Sequence, residues 1–188
     1  MKRLVIFASG SGTNAENIAN YFEKSADIEV VLVLSNNPNA GVLQRAKQLN
    51  LSTITFNKKA FTESNVVTNI LKDIDPNLII LAGFLWKIPS ELVLLFPNRI
   101  VNIHPALLPK YGGKGMYGRH VHEAVIANEE KESGITIHYV NEHYDEGAII
   151  FQTSCKLSSR DTVESLQTKI HELEMTYFPE VIESLLSS

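Results

Sequence analysis

The sequence predicts an α/β fold: an open, mostly parallel twisted sheet with helices on both faces and antiparallel strands at its C-terminal edge. Three observations carry this. Apolar runs of strand length alternate with stretches of helical spacing through the first half of the chain. The runs are apolar enough to be covered on both faces, as parallel strands are. The second half turns instead to two strand-like segments joined by a polar turn, the pattern of an antiparallel pair.

Taken in order, residues 4–9 form the first β-rich run, and 15–23 carry apolar residues at helical spacing. The runs 29–35 and 78–82 repeat the strand pattern, with helices expected over 41–49 and 66–74. A short strand over 100–103 follows. Such alternation is the signature of βαβ crossovers. Residues 121–127 read as a helix, and 134–140 and 148–156 as strands flanking the polar turn 141–147. Asp161 or Thr162 is the expected cap of a closing helix that carries Leu166, Ile170, Leu173 and Tyr177 on towards Leu186. Pro179 falls inside that pattern and is expected to kink or restart it.

No repeat, low-complexity stretch or linker divides the 188 residues, so one domain over 1–188 is expected. A hydrophobic share of 44% and a charged share of 20% fit an ordinary globular protein. The net charge of −4 offers no general attraction to nucleic acid or anionic membrane. No apolar run reaches membrane length, and Met1-Lys-Arg leads directly into a strand, so no secretory leader is expected. Cys155 is the single cysteine, which leaves no internal disulfide and no cysteine pair for zinc. A cytoplasmic protein acting on small molecules, as a monomer or homodimer, is the expectation.

Chemistry concentrates first in Asn102-Ile-His-Pro-Ala-Leu-Leu-Pro109. In an extended backbone, residues i and i+2 point the same way, so Asn102 and His104 face one side. Pro105 disfavours helical geometry at His104. An amide donor beside an imidazole suits oxyanion stabilisation and proton transfer. The same residues equally suit a strand-end turn. The segment Ser9-Gly-Ser-Gly-Thr-Asn14 links the first strand to the first helix and suits an anion at a helix start. A tight strand–helix turn explains its glycines but not its hydroxyls. It lacks a third glycine for a dinucleotide and a Gly-Lys-Ser/Thr for a nucleotide P-loop.

Three further segments border this chemistry. Phe84, Leu85 and Trp86 follow a buried strand and can either wall a pocket or cover the sheet edge. The turn 141–147 reads as a solvated acidic face, unless Asp145 reaches His104, which would raise the pKa of the imidazole. Lys110 to Gly118 is glycine-rich and suits a loop bordering a site. His120 and His122 lack a third ligand at motif spacing, so no metal is expected. His138 in a strand, His171 on a helix and Glu174 on the same helix read, unaided, as packing or surface residues.

Gly10-Ser-Gly-Thr-Asn14, Leu81-Ala-Gly-Phe84, Asn102 to Pro109 and Asp145-Glu-Gly147 occur in that order. With them the whole chain resembles the phosphoribosylglycinamide formyltransferases, folate-dependent enzymes of purine synthesis. The Asn-x-His-Pro-x-x-Leu-Pro run is shared by formyl-tetrahydrofolate enzymes, and the Gly-Ser-Gly-Thr-Asn loop points to the glycinamide branch. The resemblance implies a Rossmann-like formyltransferase fold. It also implies transfer of a formyl group from 10-formyltetrahydrofolate to the glycine amine of N1-(5-phospho-D-ribosyl)glycinamide, without a metal. Asn102, His104 and Asp145 would be the catalytic group, with Asp145 keeping the imidazole charged. Gly12, Thr13 and Asn14 would hold the phosphate, and His171, Glu172, Leu173 and Glu174 the rest of that substrate, Glu174 at the ribose. Leu85, Trp86, Lys87 and Ile88, with Asn102, Asn141, Glu142, His143, Tyr144 and Asp145, would line the folate pocket.

Three positions depart from the family pattern. Trp86-Lys87 stands where many relatives carry Met-Arg, Ser64 where some place a folate-contacting Arg, and residues 112–118 form a longer segment than in the shorter bacterial forms. The related methionyl-tRNA formyltransferases carry an added nucleic-acid-binding domain, and the formyltetrahydrofolate hydrolases an added regulatory one. The single-domain expectation favours the glycinamide branch over both. A non-catalytic phosphosugar- or folate-binding module is the remaining alternative.

Overall fold

A computed structural model describes residues 1–187. The strands are β1 (Lys2–Phe7), β2 (Ile28–Ser35), β3 (Thr53–Thr55), β4 (Leu78–Leu81), β5 (Ile100–His104), β6 (Glu132–Tyr139) and β7 (Ile149–Lys156). The helices are α1 (Thr13–Phe22), α2 (Gly41–Gln48), α3 (Lys58–Thr62), α4 (Val66–Ile74), α5 (Ser90–Leu95), α6 (Arg119–Ala127) and α7 (Val163–Ser187). The sheet runs β3-β2-β1-β4-β5-β6-β7. Its first five strands are parallel, and β6 and β7 pair antiparallel at the edge, as the sequence predicts.

Alternation along the central strands builds two cores. Leu4, Ile6 and Ala8 pack with Ile18 of α1, Val121 of α6 and Ile170 of α7. Val5 and Phe7 pack on the other face with Val67 and Leu71 of α4 and Leu92 of α5. Each fully buried Leu, Ile or Phe contributes roughly 1.5–3 kcal/mol of transfer free energy. Strand order reverses between β1 and β4, so the connections leaving their C-terminal ends diverge and open a crevice there. The Ser9 amide donates to the Gly83 carbonyl at 3.0 Å across its floor.

Three elements were not expected. β3 has only three residues, pairs only with β2 and is too short for a period-two pattern to show. α3 has five residues and is capped by Asn57, whose Oδ1 accepts from the Ala60 amide at 2.9 Å. α5 has six residues and starts directly after Pro89. Thr162 caps α7: its Oγ1 accepts from the Ser165 amide at 3.2 Å, and Ser165 Oγ accepts from the Thr162 amide at 2.9 Å.

Pro179 does not restart α7, which runs unbroken through it. Proline lacks the N–H that would bond the carbonyl four residues back. That carbonyl belongs to Met175, and Asn17 Nδ2 of α1 donates to it at 2.7 Å. A tertiary contact thus satisfies the group the proline leaves free.

Candidate active site

The crevice opens into a cavity of about 640 Å³, bordered by the loops after β1, β4 and β5, by the β6–β7 turn and by α7. Asn102 and His104 lie on the same face of β5, and the register puts His138 of β6 directly opposite Asn102. His104 is only 3% exposed. Its Nε2 lies 2.8 Å from the Tyr111 carbonyl oxygen, which can only accept, so Nε2 carries a proton. Nδ1 faces Asp145 Oδ2 at 3.7 Å, a charge contact longer than a hydrogen bond.

His138 is equally buried. Its Nδ1 donates to the Tyr139 carbonyl at 2.9 Å. Its Nε2 then accepts from Asn102 Nδ2 at 3.2 Å, which fixes the orientation of the Asn102 amide. His138 was not predicted as a site residue. The signal was present: Thr136 and His138 alternate with apolar Ile135 and Ile137, a polar stripe within a strand whose faces are both covered.

Asp145 turns inward from an otherwise exposed turn, with a backbone φ of 57° and a side chain 12% exposed. Its Oδ2 accepts from the Gly113 amide at 2.9 Å, and its Oδ1 stands 3.6 Å from His138 Nε2. Burial alone would raise its pKa. The Gly113 N–H, together with the His138 and His104 rings whenever they carry a proton towards it, outweighs burial and holds the carboxyl below its ordinary range. For His104 the balance goes the other way. Burial lowers its pKa, and the opposing pulls of Asp145 and the Tyr111 carbonyl do not cancel that. Asp145 thus pulls His104 towards its charged form, as expected, while burial pulls harder towards the neutral one.

A polar end of the cavity gathers residues far apart in sequence. Gly12 has φ 79° and lies so close to Val42 that an added Cβ would stand 2.5 Å from it, so glycine is required there. α1 begins at Thr13 with no side-chain cap, and Gly12, Thr13 and Asn14 at its start border the cavity. Arg45 braces the loop, donating to the Ser11 carbonyl at 2.9 Å and pairing with Glu16. Asn14 Nδ2 donates to Glu174 Oε2 at 2.9 Å. Glu174, 15% exposed, is thus a cavity residue rather than a surface carboxylate. Asn14 Oδ1 and His122 Nδ1 are buried in this region without a partner.

Helical spacing selects which α7 residues reach the cavity. Gln167, Ile170, His171 and Glu174 border it, whereas Glu172 is exposed and Leu173 packs on the core. Of the expected positions, Glu172 and Leu173 thus lie outside the cavity lining, because the helical turn carries one to solvent and the other to the core. In the β6–β7 turn Asn141, His143, Tyr144 and Asp145 border the cavity, and Glu142 is exposed outside its lining. His120 is exposed beside Glu123 at 3.5 Å, whereas His122 is buried, so α6 separates the two rings.

The opposite end is aromatic. Leu85, Trp86, Lys87 and Ile88 all border the cavity. Trp86 sits against Phe56, Phe61 and Phe84 with ring centroids 6.0, 6.0 and 6.3 Å away. Phe84 meets Phe7 edge-on at 5.2 Å, and Lys58 Nζ lies 4.9 Å from the Trp86 ring. The Leu85 amide donates to Ser9 Oγ at 3.0 Å, tying this loop to the polar one. Lys87 Nζ stands 5.9 Å from the Tyr144 ring and links it to the β6–β7 turn.

Residues 2–182 match the Formyl transferase family, and the chain belongs to it. Similar proteins include a phosphoribosylglycinamide formyltransferase of Bacillus subtilis, 35% identical over 99% of this chain and 95% of that protein. The chloroplastic phosphoribosylglycinamide formyltransferase of Arabidopsis thaliana is 37% identical over 98% of the chain. The chain spans 65% of that relative's length, and 61% of its Vigna unguiculata counterpart. Among solved structures, phosphoribosylglycinamide formyltransferase from Bacillus halodurans superposes with a TM-score of 0.89 at 36% identity, covering 100% of this chain and 96% of that one. The fold and these likenesses agree with the resemblance read from the motifs.

Proposed function

We propose that the chain transfers a formyl group from 10-formyltetrahydrofolate to the glycine amine of phosphoribosylglycinamide, in de novo purine synthesis. One observation carries this reading. A single cavity joins the Asn102–His104–Asp145 cluster to an anion-suited helix start on one side and an aromatic wall on the other. The helix start suits a phosphate. Glu174, held by Asn14, suits the ribose hydroxyls, and the wall at 85–88 with the turn at 141–145 suits a flat pterin. The relatives named for this reaction support the assignment.

In this reading the neutral glycine amine attacks the formyl carbon. The carbonyl oxygen gains charge, and the second amide hydrogen of Asn102 donates to it. The attacking nitrogen becomes cationic and must lose a proton. His104 Nδ1, unprotonated in the resting ring, accepts it, and the ionised Asp145 stabilises the imidazolium that forms. That proton passes to N10 of the folate as the bond from carbon to N10 breaks and the carbonyl re-forms. The products are the N-formyl acceptor and tetrahydrofolate, so atoms and charge balance without a metal.

The reading extends to a single domain over 1–188, acting in the cytoplasm on small molecules as a monomer or homodimer. The acidic net charge supports small-molecule rather than nucleic-acid or membrane partners. Among the described residues no helix is long and apolar enough to cross a membrane. The decisive assay incubates purified protein with the formyl donor and follows folate release with and without glycinamide ribonucleotide. Release that depends on the acceptor is expected. Release without it identifies a hydrolase, and binding with no release identifies a non-catalytic module.

A further inference from the structure

We propose that residues 111–113 form a two-pronged bracket that orients His104 and Asp145 towards each other, and that the Tyr111 phenol anchors this bracket to the C-terminal end of α6. What the oriented pair accomplishes rests on the formyl-transfer reading; the bracket itself rests on geometry. One prong is the Tyr111 carbonyl, 2.8 Å from His104 Nε2. The other is the Gly113 amide, which donates to Asp145 Oδ2 at 2.9 Å. Two residues of backbone therefore hold both partners of the 3.7 Å contact between Nδ1 and the carboxylate.

The backbone reaches this shape through left-handed conformations, φ 57° at Tyr111 and φ 96° at Gly113. Tyr111 has a Cβ, so its conformation costs energy and needs support from its surroundings. Its phenol supplies that support. The hydroxyl donates to Glu130 Oε1 at 2.9 Å and accepts from Nδ2 of Asn128, the C-cap of α6, also at 2.9 Å. Lys110 holds the same Glu130 oxygen at 2.9 Å. Between the prongs, a Cβ at Gly112 would stand 2.6 Å from Leu108 Cδ2, which would have to shift, and 3.2 Å from Asp145 Cβ, close enough to press on the carboxylate residue.

The bracket settles which ring nitrogen does the chemistry. With Nε2–H committed to the Tyr111 carbonyl, the neutral ring presents its lone pair on Nδ1, towards Asp145 and the cavity. A ring freed from that carbonyl divides between two tautomers, only one of which accepts a proton at Nδ1. Tyr111 is in this sense a positioning residue. It acts through His104 without touching substrate.

The test is Tyr111→Phe, which keeps the ring and removes both phenol hydrogen bonds, alongside Gly112→Ala, which keeps the phenol and crowds Asp145. Both are expected to lower kcat by about tenfold to hundredfold, the scale of a catalytic group displaced by ~1 Å, with KM for either substrate little changed. The acid limb of the kcat profile should move to lower pH in Tyr111→Phe, because the carbonyl favours the protonated ring. Nitrogen-15 NMR of ring-labelled histidine, with the His104 signals identified by their loss in His104→Asn, should show an Nε2–H tautomer in the parent and a mixture in Tyr111→Phe. A lower Tm with unchanged kcat, pH profile and tautomer would make the phenol a structural tie only and overturn the proposal. If the parent does not transfer formyl groups, the functional reading falls while the tautomer spectra still decide the bracket.

Discussion

The two ends of the cavity are built on opposite plans. The aromatic end is complete in itself: Trp86, Phe84, Phe61, Phe56 and Phe7 satisfy one another by packing, and the wall continues into a core cluster. The polar end is unfinished. A hydrogen bond between Asn14 and Glu174, 160 residues apart, links α1 to α7 there, and Asn14 Oδ1 and His122 Nδ1 are left buried without partners. Buried polar atoms of this kind are costly unless something pairs with them. The contrast teaches where each end stores its free energy. Changes at the aromatic end should register in stability as well as donor affinity, changes at the polar end chiefly in ligand affinity, and changes in the catalytic cluster between them chiefly in turnover.

The largest expected effect lies at that centre. His104→Ala should reduce kcat by about a hundredfold to ten-thousandfold while KM values stay near those of the parent. Turnover within a few-fold of the parent would remove His104 from the mechanism. Asp145→Asn should cost roughly a hundredfold in kcat, at the lower end of the acid–base range. It should also shift the acid limb of the kcat profile to lower pH, because the carboxylate pulls the His104 pKa upwards. A shift to higher pH would contradict the charge contact.

Glu174→Ala tests the polar end. A hydrogen bond to a charged group is worth about 1.5–3 kcal/mol, so KM for the phosphoribosyl substrate should rise by about tenfold to a hundredfold. KM for the formyl donor should not follow. A parallel rise in both would mean that the two ends are not independent. Trp86→Ala tests the other end: loss of three ring contacts of about 0.5–1.5 kcal/mol each should lower the Tm by several degrees and raise KM for the donor alone.

The smallest effect is on stability against pH. Burial lowers the pKa of His104 and of His122, so the folded state binds fewer protons than the unfolded chain just below the ordinary histidine range. Stability from these rings is fully present above that range and falls as pH drops through the unfolded value towards the folded one. His104→Asn should flatten the decline in Tm between about pH 7 and 5, where unperturbed histidines titrate. An unchanged slope would assign the decline to other groups.

The order of strands and helices was legible because period-two and helical apolar patterns report directly on burial. Only β3, α3 and α5 escaped, each too short for a period to register. Strand-end parity put Asn102 and His104 on one side, but the roles of Gly12, Asn14, Asn102, His104 and Asp145 were legible only through the family resemblance. Tertiary structure decided the rest. Which α7 residues face the cavity depends on how that helix seats on the sheet, so Glu172 and Leu173 point elsewhere. The role of His138 depends on the β5–β6 register, and the rescue of Pro179 on Asn17 across the interface with α1. The charge state of His104 depends on burial outweighing a carboxylate 3.7 Å away, a balance of desolvation and Coulomb terms that exists only in three dimensions. The sequence by itself determined the longer elements and the motif residues that the resemblance carries. The tertiary structure alone determined their protonation, orientation and partners, because those follow from distances between residues far apart along the chain.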